Sequence, residues 1–220
     1  AFSPFYQRSL FQSMRNRQHT GINRLKKRVN DLPKELQPRA RKVIELEKDI
    51  LARLRHVADH RIPAQRIRIH GDYHLQQVLY TGRDFVIIDF EGEASRPLTE
   101  RRIKRSPLRD IASMLRSFDH VAYTCYFNIK ESGLVAQQNL PVAETWVRHW
   151  QYWVSVAYLQ AYLGVEGTAT LLPEGMKELE TLLDGFLFER AFNELAVQLS
   201  RNPQWARVPI RAILRLMGTD

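Results

Sequence analysis

"RIHGDYHLQQVLYTGRDFVIIDFEGE", residues 68–93, interrupts a chain whose other apolar residues mostly recur at helical spacing. Apolar "VLY" at 78–80 and β-branched "FVIIDF" at 85–90 flank "TGRD" at 81–84, which has the composition of a turn. Just before them, "RIRI" at 66–69 alternates basic and apolar residues, as a short strand does. The stretch therefore predicts a short strand followed by a β-hairpin.

The rest of the chain has the patterns of helices. Ser3 and Pro4 fit the cap and first turn of an opening helix. A longer helix is predicted from Pro33 to Asp59, in which Pro38 marks a kink or a late start. Further helices are predicted at residues 106–123, 142–165, 173–200 and 208–217. We predict a single domain over residues 1–220 that is mainly α with a small β-hairpin.

Composition limits the classes of partner. The net charge of +9 and pI near 9.9 favour an anionic partner, but no basic stripe with interleaved aromatics stands out, so we expect no nucleic acid. No apolar run approaches the roughly 18 residues that span a bilayer, and the first residues lack a signal-peptide pattern. A single cysteine cannot form an internal disulfide. We therefore expect a cytoplasmic protein without a membrane partner.

Three polar residues around the hairpin have the spacing that phosphoryl transfer requires. Gln77 lies five positions after Asp72, as a metal-binding amide follows the aspartate base in kinase catalytic loops. Glutamine offers the same amide oxygen as the usual asparagine, on a longer side chain. Asp89 follows the second strand, where another aspartate would hold Mg²⁺ against phosphates. Because a hairpin returns the end of its second strand to the loop before its first, we expect all three to converge on one Mg²⁺-nucleotide.

"HGDYHLQQVLYTGRDFVIIDFEGE" followed by "SPLRDIASMLRSFDHVAY" resembles the maltokinase domain, particularly the form fused behind trehalose synthase. That domain belongs to the aminoglycoside-phosphotransferase-like group of eukaryotic-type kinase folds. Its signature H-G-D-x-H-x-x-N/Q falls on residues 70–77, and the likeness runs from about Tyr6 to Tyr123. The resemblance implies that ATP phosphorylates the anomeric hydroxyl of maltose, giving maltose 1-phosphate.

The resemblance also implies a role for each site residue. Asp72 would be the catalytic base, Gln77 and Asp89 the Mg²⁺ ligands, and Asp110 a helix aspartate that braces the catalytic loop. His70 is interpreted as structural support for the site. His74 lies close enough to the base to contact the acceptor sugar.

Two departures from the family pattern change these expectations. No Gly-rich loop and no strand lysine precede the hairpin, so the chain resembles a kinase C-terminal lobe without the N-terminal lobe that covers ATP. The expected partners are therefore that upstream lobe or a trehalose synthase domain of the same polypeptide. Maltokinases also carry a late-helix lysine followed by tyrosines three and seven positions on, whereas this chain has Arg190, Asn193 and Val197. Arg190 is the expected substrate contact there.

Other interpretations of the same residues stay open at this point. His70, Asp72 and His74 together have the two-histidine, one-carboxylate composition of a non-haem iron site. A lobe without a complete ATP site would act as a sugar-binding or interaction module. The aromatic residues between Trp146 and Tyr162 recur at helical spacing, which is typical of a helix face buried in the core, with sugar stacking as the alternative.

Overall fold

The computed structural model describes residues 2–93 and 97–219. Its helices are α1 (Pro4–Arg28), α2 (Gln37–Glu45), α3 (Glu47–Asp59), α4 (Leu98–Arg101), α5 (Leu108–Ser132), α6 (Leu140–Gly164), α7 (Met176–Arg201) and α8 (Arg207–Leu216). Its strands are β1 (Val78–Tyr80) and β2 (Phe85–Ile87). The predicted fold class, mainly α with a small β-hairpin, is confirmed.

The first helices begin where their caps and prolines indicate. The Ser3 hydroxyl accepts a hydrogen bond from the Tyr6 amide at 3.2 Å, and Pro4 occupies the first turn of α1. Pro38 lies in the first turn of α2, so it marks a late start and not a kink. The single long helix predicted to reach Asp59 is wrong, because the backbone leaves helical geometry at Leu46 and α3 begins after it.

The hairpin has the predicted turn and the register of an antiparallel pair. Val78 lies opposite Ile87, and Tyr80 lies opposite Phe85. The predicted strand at 66–69 is wrong: only Ile67 pairs there, exchanging two backbone hydrogen bonds of 2.9 Å with Arg105. Because residues 66–69 pair with a loop at one position only, they form an isolated bridge and not a strand ladder.

The core is built around α7, which packs against α1, α3, α5 and α8. Two glycines allow α1 and α7 to approach closely. A Cβ at Gly21 would lie 2.7 Å from Phe192 Cδ1, and one at Gly185 would lie 2.9 Å from Met14 Cε. Since Phe192 is itself buried, hydrogen is the side chain that fits at Gly21 without moving the ring.

Helix α6 lies at the edge of this core, against α5. None of the residues that the structure describes in α6 is fully buried. Trp146 and Trp153 are 71% and 62% exposed, so the prediction that these tryptophans belong to the core is wrong. Tyr158 and Tyr162 do pack against the core. No helix in the described ranges is both long and apolar enough to cross a membrane.

Gly21→Ala is expected to lower the free energy of unfolding by about 1–3 kcal/mol, because the added methyl group overpacks the contact with Phe192. The gain in helix propensity offsets at most about 1 kcal/mol of this. Gly164→Ala is the matched control: Gly164 is the last residue of α6, and a Cβ there would have no neighbouring atom within 4 Å, so stability should not fall. Urea unfolding of both variants measures the difference, and equal midpoints would contradict it.

Candidate active site

The loop before the hairpin is fixed by a carboxylate from α5. Asp110, in the first turn of that helix, accepts hydrogen bonds from the backbone N–H groups of His70 at 2.7 Å and Gly71 at 3.0 Å. Gly71 has φ of +85°, a left-handed conformation that glycine adopts without strain. One side chain therefore sets the direction of the backbone just before Asp72.

The His70 imidazole connects this loop to the end of the hairpin. Its Nε2 lies 2.7 Å from the carbonyl oxygen of Ile88, so Nε2 carries the donated proton, and Nδ1 faces the Asp72 amide at 3.4 Å. The ring also packs against the rings of Tyr73 and Phe90. His70 is buried, and its contacts are those of a structural residue that ties the loop to the second strand.

Asp72 lies half-buried between two cationic or potentially cationic side chains. His74 Nε2 is 3.7 Å from one carboxylate oxygen, and the Arg190 guanidinium is 3.8 Å from the other. Both distances are too long for hydrogen bonds, so the oxygens of Asp72 keep room for another donor. The structure thus brings together the predicted base and both predicted substrate contacts, from a loop and from α7.

The open end of the hairpin carries the two predicted metal ligands. The Ile88 amide donates to the Gln77 carbonyl at 3.0 Å, which places Gln77 beside the residue preceding Asp89. Asp89 has φ of +59° and is the only non-glycine residue in the described ranges with a positive φ. Strained backbone of this kind often accompanies functional sites. Asp89 is exposed, and a carboxylate and a neutral amide are ligand types that fit Mg²⁺, which takes few protein ligands and completes its shell with water and phosphate.

Two tyrosines of α6, Tyr158 and Tyr162, lie near Asp110 and the loop that it fixes. Tyr158 shares a hydrogen bond with Tyr73, the residue after the predicted base, and burial followed by neighbouring phenols raises the pKa of Tyr158. Burial also raises the pKa of Asp110, and the N–H groups of Gly71 and His70 oppose that effect. Ser117 of α5 adds a further tie, accepting a hydrogen bond from the Leu75 amide at 2.9 Å.

A polar cleft adjoins the loop between α1, α5 and α7. It is lined by Arg17, Gly71, Arg109, Asp110, Ser113, Glu189, Arg190 and Asn193, among others. Arg17 donates to Asn193 at 2.6 Å, and Arg109 donates to Glu189 at 3.2 Å. The Ser113 hydroxyl is buried, and within the part of the chain that the structure describes it has no hydrogen-bond partner.

Sequence reasoning missed most of this cleft and the residues behind the loop. Arg17 and Arg109 have the spacing of ordinary solvated helix faces, and Ser117 is one hydroxyl among many. One feature of the sequence could have identified Ser117: it lies seven positions after Asp110, on the same face of α5. The iron alternative finds no geometric support: the described ranges contain no group of three His, Cys, Asp or Glu side chains arranged to hold a metal.

Comparisons with known proteins point to sugar kinases, although no family model matches the chain. A glucosamine kinase of Streptacidiphilus jiangxiensis is 24% identical over 153 residues, covering 69% of this chain and 32% of that protein. A glucosamine kinase of Mycolicibacterium smegmatis is 44% identical over 54 residues, covering 24% of this chain and 13% of that protein.

Solved structures of glucosamine kinases have a fold similar to that of this chain. A glucosamine kinase in complex with glucosamine, ADP and inorganic phosphate has a TM-score of 0.72 at 19% identity, over 98% of this chain and 46% of that one. Crystal form B of a glucosamine kinase gives 0.71 at 19% identity, over 99% and 48%. The chain therefore spans about half the length of these structures and shares the fold of that half.

Asp110→Ala is expected to cost about 2 kcal/mol of unfolding free energy, because two backbone N–H groups lose their acceptor. Asp72→Asn is the control: its carboxylate makes only contacts of 3.7–3.8 Å, and stability should change by less than about 0.5 kcal/mol. Urea unfolding gives the energies, and hydrogen exchange at the amides of residues 70 and 71 should speed up in Asp110→Ala alone. Equal losses in both variants would contradict this division of roles.

Proposed function

We propose that this chain is the C-terminal lobe of an ATP-dependent sugar kinase, a phosphotransferase with an alcohol group as acceptor. The observation that carries the proposal is a set of contacts: Asp110 braces the loop before Asp72, the His70 ring bonds the carbonyl of Ile88, and Ile88, which precedes Asp89, donates its amide proton to the Gln77 carbonyl. The glucosamine kinases found in sequence and structure comparisons support the same class of reaction.

In this mechanism Asp72 orients the acceptor hydroxyl and takes its proton. His74 and Arg190 approach its carboxylate oxygens only to 3.7 and 3.8 Å, which leaves room for a hydroxyl donor, and its neighbour Gly71 lines the polar cleft. Gln77 and Asp89 would hold Mg²⁺, which neutralises charge on the transferring phosphoryl group when it is bound. His70 and Asp110 keep the loop in place, so most of the rate enhancement comes from positioning and electrostatics.

The acceptor is a sugar that enters the polar cleft. Glucosamine is the first candidate, because the relatives and solved structures are glucosamine kinases. Maltose is the second, from the resemblance of the catalytic loop to maltokinases, and Arg190, Asn193 and Val197 depart from the maltokinase sugar contacts. Fusion to a trehalose synthase domain and a place in trehalose metabolism rest on that resemblance alone and stay predictions.

An upstream N-terminal lobe is the proposed partner that completes the ATP site. The hairpin exposes large apolar side chains on its surface: Leu79, Tyr80, Phe85, Val86, Ile87 and the following Phe90. Such a patch next to predicted phosphate and metal ligands is typical of a surface that another unit covers. The solved glucosamine kinases are about twice as long as the part this chain matches, which leaves room for such a lobe.

Phosphorus NMR of the full-length protein with Mg²⁺-ATP and either glucosamine or maltose tests the reaction. We expect a sugar-phosphate signal with at least one sugar, and we expect Asp72→Asn to reduce its rate by about 10²–10⁴-fold, the usual contribution of a general base. Because Asp72→Asn is expected to fold as the wild type does, a slower reaction in this variant reports on the lost base and not on unfolding. No signal with either sugar from folded, ATP-binding protein would favour the alternative of a sugar-binding or interaction module.

Phe85→Ser in the full-length protein tests the proposed covering lobe. We expect a lower melting temperature and a raised KM for ATP, because the substitution removes apolar surface from an interface beside the nucleotide. Phe5→Ser on α1 is the matched control, since Phe5 is exposed as well but lies far from the hairpin in the chain. Identical small effects of the two substitutions on ATP binding would argue against a lobe at the hairpin.

A further inference from the structure

A series of alternating charges leads from α8 to the proposed base. Its members, in order of contact, are Arg215, Asp119, Arg116, Glu194, Arg190 and Asp72. Each member contacts the next through an ion pair, and they come from α8, α5, α7 and the catalytic loop. We call these six residues the charge series.

The centre of the charge series is buried. Arg116 and Asp119 are 4% and 1% exposed, and Arg116 contacts Asp119 on one side and Glu194 on the other. Burial disfavours the charged guanidinium, but the carboxylates of Glu194 and Asp119 outweigh it and raise the pKa of Arg116. The arginine therefore stays cationic at every physiological pH, and it holds its partners with a fixed charge.

Arg116 fixes Glu194 at both oxygens. Its Nε donates to one oxygen at 3.3 Å, and its NH2 donates to the other at 2.5 Å. Two donors from one planar group determine both the position and the orientation of a carboxylate. Glu194 is consequently a rigid anion on α7, one turn after Arg190.

Arg190 lies between two carboxylates at nearly equal distance. Its Nε is 3.9 Å from Glu194, and its NH2 is 3.8 Å from Asp72. Neither contact is short enough to be a hydrogen bond, so the guanidinium is attracted to both sides and bound closely to neither. If the attraction of Glu194 were removed, the guanidinium would be free to close on Asp72 as a bidentate pair.

We infer that Glu194 is a positioning residue: it holds Arg190 away from Asp72, so that Asp72 keeps a free oxygen for the acceptor hydroxyl. This inference rests on the proposed function, because it assigns a role in the proton transfer to Asp72. Arg116 and Asp119 serve the same end by fixing Glu194. The burial of two charged residues that do not themselves contact Asp72 thereby acquires a function in catalysis, in addition to its effect on stability.

A double-mutant cycle in the full-length protein tests the inference, with Glu194→Gln, Arg190→Gln and the double variant. The assay is phosphotransfer from Mg²⁺-ATP to whichever of glucosamine and maltose the wild type accepts. Glu194→Gln should lower kcat by about tenfold with little change in KM for ATP, because the closed Arg190–Asp72 pair blocks the base. In the Arg190→Gln background the same substitution should change kcat by less than about twofold, since Glu194 has no arginine left to hold.

Stability separates this role from a merely structural one. Loss of the Arg116–Glu194 pair should lower the melting temperature by the same amount in both backgrounds, whereas the effect on kcat should depend on Arg190. Asp184→Asn is the matched control: Asp184 is also a carboxylate on α7 paired with an arginine, Arg53, and kcat should stay unchanged. If Glu194→Gln does not fold, Glu194→Asp keeps the charge that Arg116 requires while moving it away from Arg190.

Two results would overturn the inference, and they are distinguishable. If the wild type is active and Glu194→Gln lowers kcat by the same factor in both backgrounds, Glu194 does not act through Arg190. That result would leave the proposed function intact. A folded wild type that phosphorylates neither sugar would overturn the proposed function and the inference together. A decrease in kcat on Glu194→Gln that disappears in the Arg190→Gln background supports both the inference and the proposed function.

Discussion

The two hydrogen bonds from the backbone of His70 and Gly71 to Asp110 determine where the proposed base lies. The segment between α3 and the hairpin has almost no regular structure of its own, so its path is set by contacts with the helices. Asp110 is placed for this by the first turn of α5, a long helix in the core. The cost is a desolvated carboxylate, which the raised pKa of Asp110 reflects and the two N–H donors partly offset.

Several smaller contacts depend on that placement. With the loop fixed, the His70 ring reaches the Ile88 carbonyl and joins the loop to the second strand. Tyr73 reaches Tyr158, which gives α6 a function at the site although the outer face of that helix is exposed. The geometry of a short, weakly structured segment is thus determined by side chains from two helices that follow it in the chain.

Charge is distributed unevenly around the site. On the side of α7, guanidinium and carboxylate groups alternate from the buried Arg116 outward to Asp72, and buried pairs of this kind contribute more to geometry than to net stability. On the side of the hairpin, the surface is apolar and exposed. A site that is polar and ordered on one side and apolar and uncovered on the other fits the proposed cleft between this chain and a second lobe.

Local sequence determined most of the elements and identified the candidate site residues. Ser3 and Pro4 set the start of α1, "TGRD" set the hairpin turn, and the spacing of Asp72, Gln77 and Asp89 identified the candidate site, because caps, turns and hairpins are decided by residues close in the chain. The break at Leu46 and the missing strand at 66–69 were not predictable, since each depends on what packs against the segment. Tertiary structure alone placed Arg190 between Asp72 and Glu194, exposed the tryptophans of α6 and joined Ser117 to the loop. The contact of Asp72 with Arg190 and that of Leu75 with Ser117 link residues about 120 and 42 positions apart, and they arise from helix packing, which a local pattern does not encode.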